Sequence, residues 1–260
     1  MVLTFPYHDP SGKYNSIFKK NFSILKKIFN QIFISITPLT YKQNKEFINL
    51  LSSEGMIVYT NKVNSYIGDH FRSALSISLK KITSKEQVFF SFIDRILYIL
   101  ESENAEDFIK DLKQAEVGKL TIFERSTKAW DSHPENYREM EEFVNSLLKR
   151  FSGLDLEMNF CALMLNKEIA GKILSSSQSK GWEVPGEWLL LAIKNSLSIS
   201  TKKVDWLSWE DPFWEKVDKY QLMKEREKSK DETLKRIKTN LPFLKLLTED
   251  RFEGIYNLSS

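Results

Sequence analysis

The stretch Val88-Phe89-Phe90-Ser91-Phe92-Ile93-Asp94-Arg95-Ile96-Leu97-Tyr98-Ile99-Leu100 decides how the chain is read. It has the continuous apolar character of a strand buried on both faces, yet an acid and a base stand side by side in its middle. Burying an isolated charge is costly unless it is paired, bound to a metal or moved to a strand end. Asp94 is therefore either neutralised inside the protein or placed at the edge of a site.

Upstream of this stretch, apolar runs alternate with segments of helical spacing. Residues 2–5 read as a strand, broken by Pro6 and by the turn formers Asp9-Pro10-Ser11-Gly12. Ile17, Phe18, Phe22, Leu25, Ile28 and Phe29 recur at helical spacing, residues 32–36 form a second strand ended by Pro38, and residues 42–53 a helix capped by Gly55. Residues 56–59 are again strand-like, and residues 67–79 helical. Downstream, residues 105–116 read as a helix and 120–123 as a further strand. This alternation predicts an α/β fold, a mainly parallel sheet with helices on both faces. Such sheets bind ligands beyond the carboxyl ends of their strands, so the loops at 6–12, 60–68 and 124–133 and the Asp94 region are the places to search.

Past residue 134 the alternation weakens. Residues 134–151 read as one long helix, 156–174 fit either strand or helix, and 181–195 hold a turn at Pro185-Gly186 followed by an apolar helix. The boundaries expected are an α/β domain over 1–215 and a charged helical C-terminal extension over 216–260. That extension has acids and bases at helical spacing and reads as a solvated helix, with a dimerisation or membrane-surface element as the alternatives. The first of these leaves a homo-oligomer open.

Composition narrows the function classes. The chain has 260 residues, 42% of them hydrophobic, enough for one large core. The 38 basic and 35 acidic residues leave a net charge of +3, too even for a general polyanion binder, so nucleic acid is not expected as a partner. A single cysteine, Cys161, excludes an internal disulfide and a multi-cysteine metal site, and its apolar surroundings read as core. The start lacks the basic and long apolar parts of a signal peptide, and no segment reaches the roughly 20 apolar residues that span a bilayer. A cytoplasmic protein without a transmembrane segment is the expectation. Phosphate-loop, dinucleotide and hydrolase-elbow signatures are missing, and His8, His70 and His133 are too dispersed for a local metal motif.

Against this background, roughly residues 1–215 resemble the nucleotide-sugar-binding half of a GT-A type glycosyltransferase. The residues that carry the likeness are F-P-Y-H-D-P-S-G at 5–12, I-F-I-S-I-T-P-L-T at 32–40 and I-G-D-H-F-R-S-A-L at 67–75. The Asp94 stretch, where that family places Asp-x-Asp, is the fourth, and G-E-W-L-L-L-A at 186–192 with W-L-S-W-E-D-P at 206–212 the fifth. The resemblance implies transfer of a sugar from a nucleotide-diphosphate donor to an acceptor that the motifs do not identify. It also implies a divalent metal, Mg or Mn, at Asp94. Phe92 stands where the first acid of Asp-x-Asp would fall, and a single carboxylate cannot reproduce the usual bidentate hold on a metal and diphosphate. Arg95 and Arg72 are the cations that could serve the diphosphate instead.

Each candidate has a structural alternative. Asp94 and Arg95 could pair with other residues at the strand's exit, and Arg72 could be a surface charge. Asp9 could bind a ribose or base, or simply start the D-P-S-G turn. Arg125 and His133 lie in a polar loop suited to gripping a ligand, although His133 could be a helix-entry residue beside Pro134. Glu187 could be the general base of an inverting transfer or a carboxylate stabilised at a helix start. Glu210 and Asp211 could be acceptor-site acids or loop residues, and the tryptophans from Trp182 to Trp214 a sugar-stacking surface or core. The rival readings are a catalytically inactive GT-A relative serving as a binding module, supported by Phe92, and a nucleotidyltransferase, which would want more than Gly12 and Lys13 in its first loop.

Overall fold

The computed structural model describes residues 1–84 and 86–257. Seven strands make one sheet: β1 Val2–Tyr7, β2 Gln31–Ile36, β3 Ile57–Thr60, β4 Gln87–Phe90, β5 Leu120–Arg125, β6 Leu163–Asn166 and β7 Ile199–Val204. Their order is β3-β2-β1-β4-β6-β5-β7. β6 runs antiparallel to β4 and β5, and the other neighbours are parallel. The chain winds outward from β1 through β2 to β3 and then returns to start β4 on the other side of β1. The strand order therefore reverses between β1 and β4, the position where an open α/β sheet forms a crevice.

The Val88 stretch departs from the single strand expected of it. β4 stops at Phe90, and a helix runs from Ile93 to Glu101. Both periods are present in the residues: Val88, Phe89 and Phe90 are continuous, whereas Ile93, Ile96, Leu97 and Leu100 recur at helical spacing. Ile93, Ile96, Leu97 and Ile99 are buried on the resulting helix. No charge is left in the middle of a strand, because Asp94 falls in the first helical turn, where free N–H groups and the dipole favour a carboxylate.

Period-two burial along the strands divides the core into a layer on each face of the sheet. Val2, Val88, Phe90, Leu163 and Leu165 face one layer, with Phe71, Trp188 and Phe243. Leu3, Phe5, Phe89 and Met164 face the other, with Ile93 and Trp206. Buried Thr4 belongs to the first face, and its hydroxyl donates to the Ala74 carbonyl of the Ile67–Leu79 helix. The expected long helix is present as Glu135–Ser152, and residues 156–174 resolve into β6 and the helix Lys167–Leu174. Pro185 and Gly186, expected as a turn, lie in the first turn of the helix Val184–Lys194.

The charged tail forms the helices Lys219–Lys228 and Lys230–Leu246, separated by Ser229, whose side chain caps the second. Phe243, Leu246, Leu247, Phe252 and Ile255 join the first core layer. A Cβ on Gly186 would lie 2.8 Å from Phe243 Cδ1, so the missing side chain is what lets this helix approach.

Candidate functional site

Where the strand order reverses, the carboxyl ends of β1 and β4 open into a cavity of about 430 Å³. Tyr14, Phe71, Phe92 and Trp182 supply aromatic walls, and His8, Thr37, His70 and Asp94 supply polar groups. His8 follows β1, and its Nδ1 lies 2.8 Å from the Thr37 hydroxyl after β2. That hydroxyl also accepts the Thr40 N–H at 3.2 Å, capping the helix Pro38–Gln43. His70 comes from the Ile67–Leu79 helix, and its buried Nδ1 has no hydrogen-bond partner among the described residues. Burial lowers the His70 pKa despite the opposing charge of Asp69, so the ring is neutral at pH 7. Burial and the nearby carboxylates of Asp94 and Asp9 hold the Tyr14 hydroxyl protonated. Trp182 is 52% exposed and meets Phe71 edge-on at 5.7 Å.

Asp94 is the one carboxylate lining this cavity among the described residues, and no lysine or arginine lines it. Burial raises the Asp94 carboxyl above its ordinary value, against the opposing pull of Arg95. Its Oδ1 accepts the Arg95 N–H at 3.0 Å, but the Arg95 side chain points elsewhere. Arg95 Nη2 lies 2.7 Å from Glu210 Oε2, and Nη1 donates to the Ser208 carbonyl at 2.6 Å.

That ion pair lies in a second cavity of about 190 Å³. Arg95, Arg125, Glu157, Asn159, Cys161 and Glu210 line it, and it shares Phe92 and Trp182 with the first. Because β6 is reversed, residues before its start reach the same edge of the sheet as the ends of its neighbours. Burial pushes the Glu210 carboxyl up to about 7; Arg95 opposes the rise, while Asp94 and Asp211 add to it.

Several sequence candidates are engaged away from the first cavity. Asp9 organises its own loop, accepting the N–H groups of Lys13 at 2.8 Å and Tyr14 at 2.9 Å and the Tyr7 hydroxyl at 3.1 Å. Arg72 donates to the Ser179 carbonyl at 2.5 Å and pairs with Asp69 at 2.6 Å. Glu187 is fully buried; it accepts from Ser177 Oγ at 2.5 Å, Gln178 N at 2.8 Å and Ser179 N at 2.9 Å, and pairs with Arg251 at 2.6 Å. It lines neither cavity. Arg125 reaches the second cavity but is held by Glu141 and by Glu157 at 2.9 Å, with the Trp130 ring 4.1 Å away. His133 is buried, its Nδ1 2.9 Å from the Ala129 carbonyl, and desolvation together with Arg125 and Arg95 keeps it neutral. Asp211 lies 3.4 Å from Arg226.

The structure thus brings Asp94 to the first cavity and Arg95, Arg125 and Glu210 to the second. Tyr14, Thr37 and His70 were not among the sequence candidates; His70 was visible only as one of three scattered histidines, two of which the fold brings to the same cavity. Among the described residues no three His, Cys, Asp or Glu side chains form a group able to hold a metal. The residues present fit a metal only as a single carboxylate, Asp94, with the other oxygens coming from ligand and water, a way in which magnesium is commonly held.

No family model matches the chain, and no curated protein matches it in sequence. Solved structures resemble it in fold. A crystal structure of Mycobacterium tuberculosis glucosyl-3-phosphoglycerate synthase superposes with a TM-score of 0.52 at 11% identity, over 95% of this chain and 79% of that one. The same synthase in complex with Mn2+, UDP and phosphoglyceric acid gives 0.49 at 12%, over 77% of this chain and 66% of that one. The inositol-1-phosphate CTP transferase of T. maritima gives 0.43 at 16%, over 86% and 96%. At such identities the likeness is one of fold: the chain shares the α/β architecture of the synthase.

Proposed function

We propose that the protein is a glycosyltransferase that moves a sugar from a nucleotide-diphosphate donor to a hydroxyl-bearing acceptor. The observation that supports this most is the pair of cavities sharing Phe92 and Trp182, with Asp94 on one side and Glu210 on the other. The first and larger cavity takes the nucleotide, whose base stacks on the aromatic walls. The second takes the acceptor, and the anomeric carbon lies between them.

Glu210, rather than Glu187, is assigned as the base. A carboxylate near 7 that borders a cavity is poised for proton transfer at neutral pH, whereas Glu187 already accepts from Ser177, Gln178, Ser179 and Arg251. The acceptor hydroxyl gives its proton to Glu210 as its oxygen bonds to the anomeric carbon. The bond from that carbon to the diphosphate oxygen breaks, and the diphosphate leaves with the electron pair. Arg95 holds Glu210 in place and limits how far burial raises its carboxyl.

Neither Arg72 nor Arg95 lines the first cavity, so neither is assigned to the diphosphate. A divalent cation at Asp94 would supply the positive charge that the leaving diphosphate requires. The open first cavity favours this reading over an inactive relative whose site is filled by Phe92 or tryptophan, and Arg95 pairs with Glu210 rather than Asp94. A first loop with only Gly12 and Lys13 weighs against nucleotidyl transfer.

The test is calorimetry and thermal shift with UDP, GDP, CDP and ADP and their sugar conjugates, with and without manganese or magnesium. A nucleotide that stabilises the wild type and not Asp94→Asn supports the donor site. No stabilisation by any of them would overturn it.

A further inference from the structure

The helix Lys230–Leu246 has two faces with different partners. Thr239 lines the second cavity, Asn240 and Phe243 are buried, and the Arg236 guanidinium lies 4.1 Å from the Tyr137 ring. On the opposite side Leu234, Ile237 and Leu241 are 42%, 43% and 45% exposed. At 3.6 residues per turn these three fall within an arc of roughly 100° that also carries Lys230, Lys238 and Lys245 and no acid. All three lysines are exposed, and among the described residues none has an ion-pair partner. Three large apolar side chains interleaved with three free cations do not resemble an ordinary solvated face, which alternates charge signs.

Charge is also concentrated here. Residues 219–245 hold nine lysines and arginines against four acids, a surplus of five in a chain whose whole surplus is three. The rest of the protein is therefore slightly acidic, and its positive charge is gathered on the helices that carry the exposed leucines and isoleucine.

We infer that this face of the Lys230–Leu246 helix docks on an anionic lipid surface, with Leu234, Ile237 and Leu241 entering the acyl boundary and Lys230, Lys238 and Lys245 at the phosphates. A helix lying in the interface pairs an apolar stripe with lysines whose long stems carry the charge outward. Among the described residues no helix is long and apolar enough to cross a membrane, so the contact is with the surface alone. The inference does not rest on the glycosyltransferase reading.

The experiment is co-sedimentation of the full chain with phosphatidylserine-rich vesicles and with pure phosphatidylcholine vesicles, alongside light scattering without lipid. Three lysines near the headgroups predict partition onto the anionic vesicles about a hundredfold stronger than onto the neutral ones, weakened by added salt. Leu234→Glu/Ile237→Glu/Leu241→Glu should abolish it. Lys230→Glu/Lys238→Glu/Lys245→Glu, which leaves the apolar residues in place, should remove the preference for anionic lipid and serves if the first variant fails to fold. No sedimentation with anionic vesicles, or binding that ignores lipid charge and survives the lysine changes, overturns the inference. Self-association without lipid binding, lost in the apolar variant, would assign the face to a second copy of the chain and also overturn it.

Discussion

Arg72 Nη1 donates to the carbonyl oxygen of Ser179 at 2.5 Å, a bond that ties the Ile67–Leu79 helix to the loop presenting Trp182. The same junction is closed by Gly68, whose N–H donates to the Lys180 carbonyl at 2.9 Å. A Cβ on Gly68 would lie 2.1 Å from the Ser179 oxygen, so a side chain there must displace backbone. Gly68→Ala is expected to cost about 1–3 kcal/mol, as overpacking does, and to move Trp182 away from Phe71. Thermal denaturation and nucleotide titration of the same variant check both effects together.

Trp182 itself is half exposed, so its loss leaves the fold intact. Trp182→Ala should weaken nucleotide binding by about 1–3 kcal/mol, the range for a base stacked on an aromatic ring. The melting temperature without ligand should hardly change, and calorimetry with UDP or the nucleotide selected by screening measures the difference.

Glu187 and Arg251 join the chain's last described turn to a core helix. Burial alone would raise the Glu187 carboxyl, but hydrogen bonds from Ser177, Gln178, Arg251 and Ser179 bring it below its ordinary value. Its stabilising contribution is therefore complete above the unfolded carboxylate value of about 4.3 and is lost as pH falls through the lower folded value. Glu187→Ala should cost about 1–3 kcal/mol at neutral pH, since it leaves the N–H groups of Gln178 and buried Ser179 without their acceptor while Arg251 keeps Glu249. Its stability should also fall less steeply on acidification than that of the wild type, as melting curves across pH will reveal.

Glu210 makes the opposite kind of prediction. With its carboxyl pushed up to about 7, kcat/KM should rise with pH through that value as the carboxylate forms. Glu210→Gln should lose about 10²–10⁴ of the rate and the rising limb with it, while nucleotide binding in the first cavity is retained. An unchanged pH profile in that variant would remove Glu210 from the base role.

The need for a metal can be tested by binding alone. The first cavity contains one carboxylate and no fixed cation among the described residues, so a diphosphate entering it without a metal meets repulsion from Asp94. Diphosphate nucleotides should stabilise the wild type only when magnesium or manganese is present. The corresponding nucleosides should bind alike with and without the ion, and Asp94→Asn should flatten the metal dependence.

The alternation of short apolar runs with helical periods was enough to read the first five strands, while β6 was left open between strand and helix and β7, which carries Lys202 and Lys203, was not read. The Val88 stretch misled because two elements meet inside it with only Ser91 and Phe92 between them, and continuous apolar content conceals the change of period. Asp94, left open between an internal pair and a site edge, lines the first cavity from the first turn of the helix after β4. Arg72, Glu187 and Arg125 could not be placed. Beside nearer partners such as Asp69 for Arg72 and Ser177 for Glu187, they are held by Ser179, Arg251, Glu141 and Glu157, 16 to 107 residues away, and pairing at that range leaves no local trace. Tyr14 and His70 escaped for the related reason that a cavity is a property of several segments at once.

The reversed strand β6 also shapes how such a protein can change. Its amino end feeds Asn159 and Cys161 into the second cavity, whereas the first draws on the loops after β1, β2 and β4, on the Ile67–Leu79 helix and on the Trp182 loop. Insertions or exchanges just before β6 can remodel the second cavity while the loops after β1, β2 and β4 keep their sequences. The two cavities can thus drift separately along one chain, with Phe92 and Trp182 as the places where a change on one side is felt on the other.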